Sequence, residues 1–407
     1  MPKIQTWKDI LSPALIYTLI VSALVFRGAY YLYIDFPNAY RWQELFINYA
    51  GGFVRRGLIG ELLLFADSII SIQIFFPVLY AVIFYAFLYF SYKKLTSIFD
   101  QIVVAFFFIS PVIFLLNVTD IKVFSRIKDL FIEIILLIIS QLCIKCFTKI
   151  KSYLYIYTII ISILFIIGML IHEMMIFYFP LFSVLFGAAY ARQKKIFQWL
   201  LITGILFSLA SLLVIMFSGT AGIRETICTS WMQRYPEMAC GGAISYIGVS
   251  FYEIMMANFR HHIHWITMGS FFLGTVLSII PLVFLWKAYN FYEAIRDLLS
   301  RSMLLRVAFW PAVSAPIILL IINIDYGRFI ALALLSYLFF LYAVFSVCPQ
   351  QEASWLRKLK SSIAISPRLR NAIYLFAILY GLCWRMAHWQ LPGISYVQPG
   401  VVFSLLF

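Results

Sequence analysis

Charge is what this sequence has least of. Of its 407 residues only 12% are charged, and 64% are hydrophobic. Soluble domains carry about 25% charged residues. No polar stretch is long enough to fold as a separate globule, so one continuous domain spanning residues 1–407 is expected. The chain also lacks a Walker loop, an H-E-x-x-H helix, a dinucleotide fingerprint and a serine nucleophile motif. No motif calls for a cofactor or a bound metal. Heptads, low-complexity tracts and a convincing internal repeat are missing too. The last absence counts against a transporter, since many are built from paired repeats.

What is present is a succession of apolar runs long enough to cross a bilayer. The expected fold is all-α: a polytopic transmembrane protein with about 11 spans and with interfacial or re-entrant helices on the outer face. Spans are expected near 11–34, 73–92, 101–117, 130–147, 153–171, 174–190, 199–217, 265–286, 307–324, 329–347 and 371–386. Residues 57–72 read as a helix lying at the interface. Pro111 reads as a kink in the third span, and the tail after Pro399 as a segment re-entering the outer leaflet. The first span is preceded by lysines without a small-residue cleavage site, so it reads as retained rather than as a signal peptide.

The formal charge of +14 suggests nucleic acid, but its distribution does not. The basic residues recur in short clusters between spans, the pattern that orients membrane proteins. Threading the chain with a cytoplasmic N-terminus puts 12 of 14 lysines inside and leaves 10 of 17 arginines outside. Lysine follows the positive-inside bias; arginine breaks it, so the outer face carries charge for another reason. The outer segments 35–72 and 218–264 are the expected carriers of the site.

The first of these holds Gly51-Gly52-Phe53-Val54-Arg55-Arg56-Gly57-Leu58-Ile59-Gly60-Glu61. Glycines permit tight turns, and an arginine pair is suited to gripping phosphate through forked hydrogen bonds. Arginines meeting lipid headgroups are the plainer alternative. His172-Glu173, where span five turns outward, reads as a general base or as a helix-end pair. Asp325 and Arg328 either pair on one helix face or, with Gly327 breaking the helix, stand free as base and phosphate ligand. Asp120, with Arg126, Lys128 and Asp129, has the same ambiguity. Cys228 and Cys240 bracket a short outer segment and would form a disulfide in an oxidising compartment. Cys143-x-x-Cys146 reads as two small buried residues. The cluster Arg260, His261, His262 and His264 reads as an interfacial basic patch.

Arginines, carboxylates and a histidine above a greasy body fit a substrate with an anionic head and a lipid tail. Transfer of a sugar from a polyprenyl phosphate makes that demand. The number of spans, an acid just after span one (Asp35), a first-loop interfacial helix and a larger late outer loop resemble polytopic GT-C type glycosyltransferases. The F-V-R-R-G-L, H-E and D-x-G-R runs resemble O-antigen polymerases of bacterial surface-polysaccharide clusters. That resemblance implies Arg55, Arg56 and Arg328 on pyrophosphate, and a base among His172, Glu173, Asp35 and Asp325. It further implies an undecaprenyl-pyrophosphate-linked oligosaccharide as substrate, membrane lipid and a chain-length regulator as candidate partners, and the periplasmic face of a bacterial inner membrane as location. Asp35-Phe36-Pro37 resembles instead the first-loop acid of single-sugar transferases, and a lipid-linked oligosaccharide flippase is the rival from outside the enzymes.

Overall fold

The computed structural model describes residues 13–38, 40–54, 56–114, 127–148, 153–217, 219–249, 265–322, 326–349 and 352–366. It also describes shorter pieces at 253, 256, 368, 372–373, 376, 379–381, 384–386 and 397–399. Its helices are α1 (Pro13–Ile34), α2 (Tyr40–Leu45), α3 (Leu58–Asp67), α4 (Ile72–Leu95), α5 (Gln101–Phe108) and α6 (Ile127–Thr148). The chain goes on through α7 (Leu154–Ile171), α8 (Met175–Arg192), α9 (Ile196–Met216), α10 (Ala221–Met232) and a 3-10 turn at Gly242–Tyr246. Next come α11 (Trp265–Ala288), α12 (Phe291–Ser300), α13 (Met303–Ile322), α14 (Tyr326–Val347) and α15 (Ser354–Ile365). A two-stranded antiparallel ribbon pairs β1 (Trp384–Met386) with β2 (Val397–Pro399).

The protein is a multi-pass helical membrane protein. Among the described residues seven helices are long and apolar enough to cross a bilayer: those in α4, α6, α7, α8, α9, α11 and α14. Apolar stretches Thr18–Ile34 and Met303–Leu319, in α1 and α13, are shorter. The expected third span departs from this pattern. Its helix ends at Phe108 after eight residues, and Pro111 lies in the buried turn that follows. Proline has no N–H to give a helix and disfavours helical backbone in the residue before it. The far end of the expected span eleven, Trp384–Met386, is a strand paired to Val397–Pro399 rather than helix. The tail beyond 399 lies outside the described residues. Two helices stand where the sequence suggested only basic loops: α12 and α15.

Burial sorts the helices into centre and rim. In α14, 83% of the spanning window is buried, against 22% in α9. In α8 nearly every residue from Leu181 to Tyr190 is covered. A membrane core supplies no hydrophobic drive between helices, so close packing must hold them. Gly187 illustrates it: a Cβ there would come within 2.5 Å of the Trp199 ring and 2.9 Å of Leu305. That small side allows α8 to approach α9 and α13. The rim helices point Phe26, Val82, Ile159, Leu201 and Phe272 outward, as lipid contact requires.

The two ends of the bundle differ. At one, Arg192 Nη1 donates to the Phe147 carbonyl (2.9 Å) and Lys195 Nζ to Tyr155 Oη (2.7 Å). There too Lys360 meets Asp100 at 2.7 Å and Glu352 at 3.2 Å. At the other end α2, α3, the α7–α8 turn and the first turns of α6 and α14 come together.

Candidate functional site

The site is built on α2, a six-residue helix held from several sides. Trp42 Nε1 donates to the Leu32 carbonyl at 2.8 Å, and Trp231 Nε1 donates to that of Phe46 at 2.8 Å. The Phe46 and Trp231 rings stack at 4.2 Å. Asn48 Nδ2 donates to Ser230 Oγ at 3.0 Å. Cys228 and Cys240 are disulfide-bonded, with Cα atoms 5.8 Å apart. The segment they close reaches back to α2: Gln43 Nε2 donates to the Ala239 carbonyl at 2.7 Å. The Ala239 amide donates to Asn38 Oδ1 at 2.6 Å. α2 therefore presents Glu44 from a braced position, and Glu44 is 2% exposed.

The loop after α2 is shaped by its small residues. Gly60 packs so tightly that a Cβ would fall 1.9 Å from the Ile47 carbonyl oxygen. Glu61 Oε2 accepts the Tyr49 amide at 3.0 Å, which folds the loop back on α3. Arg56 takes a left-handed backbone, φ +67°, unusual for a residue with a Cβ and costing about 1–3 kcal/mol. It is held at both ends. Its guanidinium Nε donates to Glu173 Oε2 at 2.6 Å, and Nη2 donates to Glu173 Oε1. Its carbonyl accepts Lys128 Nζ at 2.9 Å.

His172 and Glu173 lie in the break between α7 and α8. His172 is extended (φ −158°, ψ 123°), and its amide still donates to the Gly168 carbonyl at 2.8 Å. The two helices reverse within three residues, which turns both side chains inward. From α14, Arg328 Nε donates to Asp129 Oδ2 at 2.7 Å and Nη2 donates to Oδ1 at 2.8 Å. The same Nη2 donates to Glu44 Oε1 at 3.3 Å. His172 Nε2 stands 3.8 Å from Glu44 Oε1, and Nδ1 stands 3.4 Å from Glu173 Oε2.

The result is one buried group with three cations (Arg56, Lys128, Arg328) and three carboxylates (Glu44, Asp129, Glu173) around a histidine. Burial above all, and then Arg56, push the His172 ring well below its usual 6.5, so it is neutral at pH 7. Burial opposes charge on Arg56, but Glu173 outweighs it and Arg56 stays protonated. Well-packed apolar residues would hold these helices about as firmly as six buried charges do, so bundle stability does not account for them. Such groups mark functional sites in membranes. The arrangement can move a proton between nitrogen and carboxylate. Arg56, whose side chain is 24% exposed, can meet an anion from outside.

Six of the residues singled out from sequence therefore meet here: Arg56, Lys128, Asp129, His172, Glu173 and Arg328. Asp35 does not join them; it is exposed in the turn after α1. Arg55, Asp325 and the His261, His262 and His264 cluster lie outside the described residues. Arg328 is not open to phosphate, because Asp129 and Glu44 fill its fork. Among the described residues no group of three or more His, Cys, Asp or Glu could hold a metal ion. One member, Glu44, was not singled out. The Arg126–Asp129 run carried a signal, charge at the mouth of a span. Glu44 carried none, since it sits in a polar loop where a carboxylate is unremarkable. No protein-family model matches the chain, and no curated protein or solved structure matches it.

Proposed function

We propose that this protein is a membrane glycosyltransferase that takes its donor sugar from a polyprenyl (pyro)phosphate and polymerises O-antigen-type repeat units at the periplasmic face. One observation carries the reading: a cluster of basic side chains, carboxylates and a histidine, with one part-exposed arginine, at one end of an otherwise greasy bundle. A lipid-linked donor keeps its tail beside apolar helices and its phosphate at their mouth. The departing phosphate takes the electron pair of the broken C–O bond, and Arg56 meets that charge. A base in the group takes the proton of the attacking sugar hydroxyl. No divalent ion is written into this step.

Orientation has its own support. Lys93, Lys94, Lys145, Lys195, Lys287, Lys358 and Lys360 belong to the far end. Lysine enrichment marks the cytoplasmic side, which puts the site on the other face. The test is deletion of the gene, followed by gel analysis of surface polysaccharide. The expected result is loss of the long ladder with a single repeat unit retained. A full ladder of altered sugar composition would move the reading to a single-sugar side-chain transferase. Loss of every repeat unit from the surface would move it to a flippase.

A further inference from the structure

Three carboxylates share the buried group, and their oxygens are unequally occupied. Both oxygens of Glu173 accept from Arg56, and both of Asp129 accept from Arg328. Charge-assisted bonds of this kind are short and leave those oxygens engaged. Glu44 accepts a single hydrogen bond, on Oε1, at the long distance of 3.3 Å. Among the described residues nothing donates to its Oε2. It is the one carboxylate of the three with a lone-pair edge unused.

The histidine points to the same place. The Met174 amide donates to His172 Nδ1 at 3.3 Å. In a neutral ring that puts the proton on Nε2. Glu173 Oε2 also approaches Nδ1, but it is taken by Arg56 Nε at 2.6 Å. Nε2 is then a donor with no lone pair to receive a proton. It is buried, it has no hydrogen-bond partner among the described residues, and it lies 3.8 Å from Glu44 Oε1. A hydroxyl oxygen at ordinary hydrogen-bond distance, about 2.8 Å, from both groups closes that gap as an angled bridge.

We infer that Glu44 is the proton acceptor of the transfer reaction and that His172 Nε2–H holds the acceptor hydroxyl against it. The inference rests on the glycosyl-transfer reading. In the step, the hydroxyl O–H proton passes to the Glu44 carboxylate as the oxygen bonds to the sugar's anomeric carbon. The bond from that carbon to the phosphate oxygen breaks, and its electron pair leaves with the phosphate, facing Arg56. Glu44 then gives its proton to water as product departs. Asp129 acts through Arg328 as a positioning residue, and Lys128 does so through the Arg56 carbonyl.

The experiment uses the purified full chain in liposomes, with a polyprenyl-pyrophosphate-linked oligosaccharide as donor and acceptor. Glu44→Gln should lower kcat about 10²–10⁴-fold, with KM little changed and the melting temperature close to wild type. Glu44→Asp keeps the charge and the means to accept from Arg328, but withdraws the carboxylate by about one methylene; it should lose about 10²-fold. Added formate should restore part of the activity of Glu44→Ala. A folded Glu44→Gln or Glu44→Asp turning over at the wild-type rate overturns the role of Glu44. If wild type itself transfers no sugar from any lipid-linked donor, the parent reading fails, and that result is distinct from the first.

Discussion

Replacing Asp129 with Asn removes one charge from the most enclosed pair in the protein. Asp129 and Arg328 are 1% and 2% exposed, and two parallel hydrogen bonds of 2.7 and 2.8 Å join them. With Asp129 neutral, the guanidinium keeps Glu44 at 3.3 Å as its nearest remaining anion in this group. Removing one partner of a buried pair costs about 3–5 kcal/mol, most of it from the charge left behind. At about 1.4 kcal/mol per tenfold, that is roughly two to four powers of ten in the folding equilibrium. It is about a fifth or more of a typical total of about 5–15 kcal/mol. Unfolding in mixed micelles by rising detergent fraction would read it, with the 10 tryptophans supplying the signal. The double variant Asp129→Leu with Arg328→Met removes both charges but leaves Glu44 without its donor, so against the singles Asp129→Leu and Arg328→Met it should recover part of the loss and show a clear coupling energy in the cycle. A single variant within about 0.5 kcal/mol of wild type, or a double variant as unstable as the worse single, would refute the reasoning.

Further outcomes follow from other contacts. Burial first, and Arg56 next, hold His172 below 6.5, so the unfolded ring protonates at a pH where the folded ring does not. Its contribution is complete above pH 6.5 and declines as pH falls below it, by at most about 1.4 kcal/mol per unit. His172→Gln should flatten that slope between about pH 6.5 and 5, and an unchanged slope in the pH series would count against it. Cys228→Ser should cost roughly 2–4 kcal/mol and loosen the brace on α2, read as a lower melting temperature that reductant also produces in wild type. Gly60→Ala should sharply reduce folded protein, because its Cβ would lie 1.9 Å from a backbone oxygen; normal yield with a monodisperse elution profile would be evidence against the packing described. Arg56→Lys keeps a cation beside Glu173 but loses the fork, so it should lower transfer sharply with protein level intact, and wild-type polysaccharide in that strain would remove Arg56 from the mechanism.

Much of the scaffold could be read from hydrophobicity alone. The reading placed α4, α6, α7, α8, α9, α11 and α14 within a few residues of where they stand, because an apolar run of that length has few other fates. It erred where local backbone chemistry intervened. Pro111 ended a helix that hydropathy would have continued, and the Trp384–Met386 stretch paired as a strand. Amphipathic α12 and α15 hid among basic residues that looked like ordinary loop.

The candidate site was legible only in part. His172-Glu173 and Arg328 announced themselves as charge at the ends of greasy spans. Which of the charges would pair was not visible, and Glu44 gave no sign at all. Arg56 finds Glu173 across 117 positions, Arg328 finds Asp129 across 199 and Glu44 across 284.

Sequence by itself determined that the chain lives in a membrane as a helical bundle, since apolar run length is a local property that the bilayer enforces on each segment separately. Tertiary structure alone decided which charges neutralise which. Helix packing selects those partners, and it left Glu44 with an oxygen to spare while filling the fork of Arg328. Electrostatic pairing acts through space over a few ångströms, and no spacing along the chain encodes that distance.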